Sequence, residues 1–528
     1  MRLVSAPRPW RRAVSVTITS VVALALVASA CSEAPNGVSD DDSEGGSKAK
    51  GGAGGASALG GTSGAGGSLQ GGSAGTGSSS GAANAGKAGS VAAGGAGGMG
   101  GAAGSGGALP AGNGGTGNTS AVAGMAGAAG APLMRGPTPP SATSKFPFPQ
   151  NRQSSSCTYP VAYDNEDVKR VYEAWKKDLV TSDGAGGFQR VKRPAEHNLD
   201  QDSTVSEGIA YGMIIAVYMD DQKLFDDLWK YQQLHLWSPM GGGPSQLMNW
   251  YILKDGNTPS EGNGAATDAD EDMAWALIQA DKQWGGQGSL SKSYLDTAKQ
   301  LLGDIFKYEV DNYKLIKNGS GWGDDNSLNI SYFAPAYYRV FAKVTGEQHW
   351  AKDVVDYSYQ VIGQNLKDGN GNTTNGLVPA FSTSGGDPAH TAPGQSGLAF
   401  NYQYDSCRTP FRIGLDACWA GETRAKDYVA KTSAFFSAIG AAKIVDGYEL
   451  NGTPKPQFPD SFGGLSAAFI GPAAVGAMHS PSYQTFINEA WDLLKLNNMW
   501  CGGQYYDESW TMMAMLMLSG NFLDYTAY

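Results

Sequence analysis

Two kinds of helical segment alternate along residues 143–528, and that alternation restricts the fold more than any other feature of the chain. VSEGIAYGMIIAVYM, DMAWALIQA and WTMMAMLML are apolar nearly all round, whereas DVKRVYEAWKKDL and SYLDTAKQLLGDIF each keep one polar face. A helix apolar on every side must be buried, and a helix with one polar face belongs to an outer layer. Helices are expected to begin near Asn165, Val205, Asp221, Asp268, Leu290, Ile330, Glu347, Asp405, Gly421, Gly463, Pro481 and Tyr505. Gly- and Asn-rich loops such as LKDGNGNTTNG separate them, and few segments alternate as strands do. About six helices of each kind predict an all-α fold, an (α/α)6 barrel with an inner ring wrapped by an outer one. A less regular helical array with a period of about 60 residues is the alternative. WTMMAMLML is too short to cross a bilayer.

The preceding residues have a different composition. Residues 45–135 are mostly Gly, Ala and Ser. With so few bulky apolar side chains, such a segment cannot offset the entropy of ordering its backbone. A flexible linker is therefore expected over residues 32–142. Residues 1–31 read as an export signal. Arg2, Arg8, Arg11 and Arg12 form a basic start, and an apolar run ends in VVALALVASAC. The small residues before Cys31 resemble a bacterial lipoprotein cleavage site, with Cys31 as the lipidated residue. Ala28 stands where Leu is more usual, so ordinary signal cleavage is the alternative. Either way the expected product is exported, as an outer-membrane or cell-surface lipoprotein or as a secreted protein, and a monomer.

Export permits disulfides. Cys157, Cys407, Cys418 and Cys501 allow three full pairings, between which sequence does not choose. The absence of a CxxC spacing, with five scattered histidines and no HExxH, argues against a metal site. No GxSxG elbow is present. The net charge of −11 argues against nucleic acid as a partner and suits an uncharged ligand.

Three stretches carry candidate chemistry. In STVSEGIAYGM (203–213), Thr204-x-x-Glu207 fits a capping box. Gly208 and Gly212 share a helix face at a cost of about 1 kcal/mol each, which suggests a face kept open beside Glu207 as a possible acid. In ATDADEDMAWAL (265–276), Asp270 and Glu271 read as the acidic start of a helix. A calcium loop there fails, because Met273 stands where Gly is needed and Gln279 where Glu is needed. Asp268 and Asp272 share one face just before a buried run. In NYQYDSCRTPFRIGLDACW (401–419), Asp405 and Arg408 form either a helix ion pair or a base kept ionised by its arginine. Aromatics crowd these segments, and some offer flat platforms for sugar rings.

SEGIAYGM, ATDADEDMAWALIQADKQWG, ISYFAPAYY and YDSCRTPFRIG follow one another in an order that resembles glycoside hydrolase family 8, from about Tyr159 to Tyr528. The resemblance implies an (α/α)6 barrel and inverting hydrolysis of β-1,4-linked polysaccharide without a cofactor or metal. It implies Glu207 as general acid and Asp405 as general base, with Asp268 holding the sugar beside the scissile bond. Tyr404 and Arg408 would flank the base, Tyr332 would help to position water, and Trp322 would stack in the cleft. An aspartate at 405 speaks for the cellulase and xylanase branch rather than the chitosanases. The implied activity is that of an endo-β-1,4-glucanase, with an endo-xylanase or a non-catalytic carbohydrate-binding envelope protein as alternatives. An acid must keep its proton, yet a helix N-terminus favours the anion. Burial and the charge of Asp268 are expected to outweigh the dipole at Glu207.

Overall fold

The computed structural model describes residues 144–194, 200–240, 242–389, 400–501 and 503–528. The expected export signal, Cys31 and the linker lie outside the described residues. Among those described there are twelve α-helices. Six carry an amphipathic stripe: α1 (Asn165–Leu179), α3 (Gln222–Leu234), α5 (Tyr294–Tyr308), α7 (Val355–Asn365), α9 (Thr423–Ile439) and α11 (Gln484–Leu494). The other six alternate with them: α2 (Ser206–Tyr218), α4 (Thr267–Gln283), α6 (Pro335–Thr345), α8 (Thr409–Trp419), α10 (Ala467–Ala477) and α12 (Gln504–Leu518).

The two sets differ in burial as their patterns require. α1 buries Val168, Val171, Tyr172, Trp175 and Leu179, one stripe at helical spacing. α10 is buried at every residue, and α2 at every residue except Glu207. α2 packs on α4, α6 on α8, α8 on α10 and α10 on α12, and α12 returns to α2, closing an inner ring. Contact between α4 and α6 includes stacking of Trp275 on Tyr337, with centroids 4.1 Å apart. The odd-numbered helices lie outside. This is the expected double ring.

Local signals set several boundaries. Asp164 caps α1 through its side chain, with acids in the first turn and Lys176 and Lys177 in the last. α6 opens on Pro335 and stops at Gly346, whose φ of 80° is left-handed. The only strands among the described residues are three two-residue antiparallel pairs. One of them, Thr204–Val205 against Tyr251–Ile252, runs straight into α2 and aims its first turn.

The expected capping box is absent. Val205 is the N-cap of α2 and has no side-chain cap. Thr204 belongs to the strand, where its hydroxyl donates to the Val191 carbonyl and accepts from Arg190. Asp270 and Glu271 are likewise no solvated helix start, since both are completely buried. α4 is an inner helix whose first turn is covered on all sides. Cys157 and Cys418 form a disulfide that ties the arm before α1 to α8, while Cys407 and Cys501 are free and buried.

Candidate active site

The N-terminal ends of the inner helices converge, because one side chain reaches most of them. Arg408, the residue before α8, is 2 % exposed. Its Nη1 contacts Oε1 of Glu207 in the first turn of α2, and lies 2.6 Å from Oδ2 of Asp268 in the first turn of α4. Its Nε donates to Ser331 Oγ at 3.0 Å. The guanidinium lies over the Tyr332 ring, 5.2 Å from the centroid. Its Nη2 is 3.8 Å from Oδ1 of Asp405 in the turn just upstream. Glu207, Asp268, Asp405, Arg408 and Tyr332 therefore form one cluster. The contacts through Arg408 keep the nearest oxygens of Glu207 and Asp405 within about 9 Å, the upper end of the range for an inverting pair.

The two carboxyls of that pair have different surroundings. Oε1 of Glu207 also accepts from Tyr211 at 2.6 Å, and Oε2 accepts from Tyr505 at 2.8 Å. Desolvation is the largest influence on Glu207 and, with the charge of Asp268, raises its pKa to about 7. Arg408 and the two tyrosines oppose that rise without cancelling it. Burial and Asp268 thus both act in the expected direction.

Asp405 accepts from Asn329 at 3.3 Å and from Gln403 at 2.9 Å. Its side chain is 40 % exposed. Desolvation raises its pKa, while Arg408, Gln403, and Asn329 pull the other way. The expected lowering by Arg408 is present, but desolvation outweighs it and the net direction is upward.

The remaining expected residues are less uniform. Trp322 is 38 % exposed, and its Nε1 donates to the Ala265 carbonyl at 3.3 Å, just upstream of α4. A Cβ on Gly319 would fall 2.2 Å from that nitrogen, so glycine is needed there for the indole to lie down. Tyr404 turns away from Asp405, and its hydroxyl donates to the buried Asp446 at 3.0 Å. The open face expected from the two glycines of α2 is filled. A Cβ at Gly208 would meet the Tyr505 ring at 2.9 Å, and one at Gly212 would meet Leu228 at 2.7 Å. Tyr505, Asn329, Gln403 and Ser331 escaped notice in the sequence. Tyr505 gives no local signal at all, and the two amides gain meaning only from their contact with Asp405. Among the described residues no group of three or more His, Cys, Asp and Glu side chains is arranged to hold a metal ion.

A buried carboxyl raised to about 7 and a more exposed one on the same arginine suit acid–base hydrolysis on a helical double ring. Residues 147–520 match the model of glycosyl hydrolases family 8. The chain belongs to that family and is an inverting glycoside hydrolase. It is 38 % identical to Endoglucanase A of Acetivibrio thermocellus, over 67 % of this chain and 69 % of that protein. It is 36 % identical to Endoglucanase C of Ruminiclostridium cellulolyticum, over 74 % and 79 %. The apo structure of a beta-1,3-1,4-glucanase from Paenibacillus sp. X4 superposes with a TM-score of 0.63 at 30 % identity, covering 72 % of this chain and 99 % of that one.

Proposed function

We propose that this protein is an exported endo-β-1,4-glucanase that cleaves cellulose or mixed-linkage β-glucan with inversion. The observation that carries this reading is the cluster in which Arg408 joins buried Asp268 and Glu207 to the more exposed Asp405. Glu207 is the general acid that protonates the leaving glycosidic oxygen. Asp405 is the general base that takes a proton from water as it attacks the anomeric carbon from the opposite face. Asp268 holds hydroxyls of the sugar beside the scissile bond, and its bond to Arg408 fixes it there. Tyr332 borders the attacking water. Arg408 orients both acid and base, Trp322 supplies a stacking face, and Tyr404 shapes the wall behind the base. Relatives named endoglucanase, at 35–38 % identity, favour a glucan over xylan.

Reducing ends released from carboxymethyl cellulose, lichenan, xylan and chitosan test this reading. Cleavage of the first two at rates well above xylan is expected. Cleavage of none would leave a carbohydrate-binding protein, and wild-type rates in Asp405→Asn would remove the assigned base. Residues 1–31 act as the export signal, residues 32–142 as a spacer, and Cys31 as the lipid attachment point. Mass spectrometry of the mature N-terminus tests this, since an unmodified start beyond Cys31 overturns the lipid.

A further inference from the structure

Two buried side-chain amides grip Asp405. Nδ2 of Asn329 donates to Oδ1 at 3.3 Å, and Nε2 of Gln403 donates to Oδ2 at 2.9 Å. Asn329 is 1 % and Gln403 8 % exposed, against 40 % for the carboxylate between them. Each amide is fixed at its other end. Oδ1 of Asn329 accepts from the backbone N–H and the hydroxyl of Ser331, at 3.0 and 2.7 Å. Oε1 of Gln403 accepts from the Asp405 N–H at 3.1 Å and from Gln457 at 3.4 Å. Neither amide can turn away without breaking those bonds.

Arg408 is the competing partner. At 3.8 Å its Nη2 is too far from Asp405 for a hydrogen bond. A freely rotating carboxylate would close on it to about 2.8 Å. That would draw the guanidinium off Glu207 and Asp268 and turn the base toward its own support. We propose that Asn329 and Gln403 are positioning residues that fix the plane of the Asp405 carboxylate and hold it off the guanidinium. The inference rests on Asp405 being the base. Ser331 extends the device, since its hydroxyl donates to Asn329 and accepts from Arg408 Nε, so one turn sets both groups. Both amides also favour the ionised form, against the effect of burial. The other charged or titratable groups around Asp405 are Arg408 on its own turn, Asp268 from α4, Tyr332 before α6 and buried Cys407.

The test measures kcat, KM and the pH dependence of kcat/KM on lichenan for Asn329→Ala, Asn329→Asp and Gln403→Ala, with melting curves for each. kcat is expected to fall about 10- to 100-fold with KM within about threefold, since the ground-state contacts lie elsewhere. The acid limb is expected to move up by about one unit, because the ionised form loses a donor. Asn329→Asp keeps the Ser331 bonds if the alanine variant melts early, and it moves the limb furthest by placing a second carboxylate beside the first. Parental kcat and an unmoved acid limb in Asn329→Asp and Gln403→Ala overturn the inference, as does a loss confined to KM. Asp405→Asn run alongside separates the two failures: if it keeps parental rates, the base assignment is what falls.

Discussion

Glu207 departs from its two tyrosines and its arginine in one respect: they stabilise an anion, whereas the acid must keep a proton. Burial decides the contest, and the consequence is a pH limit. Catalysis requires the protonated form, so kcat/KM is expected to fall as pH rises through about 7. Glu207→Gln should lower kcat about 10²- to 10⁴-fold and abolish that limb. pH profiles of the parent and of the variant check both. An alkaline limb unchanged in residual Glu207→Gln activity would exclude Glu207 as its source. Gly208→Ala places a methyl 2.9 Å from the Tyr505 ring and should push the tyrosine off Oε2. Because that hydrogen bond lowers the pKa of Glu207, its loss moves the alkaline limb upward. A limb that stays in place would mean that the ring gives way without releasing the carboxyl. Glu207, Asp268 and Asp405, each picked out by a short ordered motif, do meet at one arginine. Tyr505 was not picked out, because it meets Glu207 only through a fold that joins positions 298 residues apart.

At the scale of elements, the sequence revealed most of the architecture. Ten of the twelve expected helix starts fell within four residues of a real one, since apolar periodicity reports burial directly, while Ile330 and Glu347 precede α6 and α7 by five and eight. The errors came from tertiary context. Thr204 was available for a cap, but the pairing of Thr204–Val205 with Tyr251–Ile252 took it into a strand. Asp270 and Glu271 read as an acidic helix start, but both are buried, and Glu271 accepts from Tyr338 of α6 at 3.0 Å. The cysteine pairing was the other gap, since spacing does not encode it. The Cys157–Cys418 bridge closes a separation of 261 residues and fastens the N-terminal arm to an inner helix. Replacing both cysteines with serine should cost about 2–5 kcal/mol, chiefly by freeing the unfolded chain. Urea unfolding with and without reductant measures it. If the parent is unaffected by reductant while the bridge is verifiably open, the arm contributes nothing to global stability.

For the whole molecule, the buried carboxyls dominate the response to pH. Desolvation raises Glu207 to about 7, Glu309 to about 8 and Glu508 to about 7, and it raises Asp270, Glu271 and Asp272 as well. Glu207, Glu309 and Glu508 each keep a proton when folded that the unfolded chain has already released. Folding therefore takes up protons between about pH 4.5 and 8, and stability falls as pH rises across that window. Glu422 acts oppositely. Hydrogen bonds from Arg424 lower it to about 2, so its contribution is present above about 4.5 and is lost as pH falls toward 2. The melting temperature is expected to peak on the acid side, near pH 4.5–5, and to decline by pH 8. Calorimetry across that range tests it, and a maximum above pH 7 would contradict the burial argument.

The converging helix ends also bear on how such a barrel changes its diet. Glu207, Asp268, Tyr332, Asp405 and Arg408 all sit in, or within three or four residues of, the first turn of an inner helix. The segments leading into α4, α6 and α8 are largely irregular, and Trp322 lies on the one before α6. Insertions there reshape the walls that meet the polymer while the ring beneath keeps its packing. Selection can thus retune which chain is accepted without renegotiating the chemistry, because the two are encoded in separable parts of the same loop-and-helix unit.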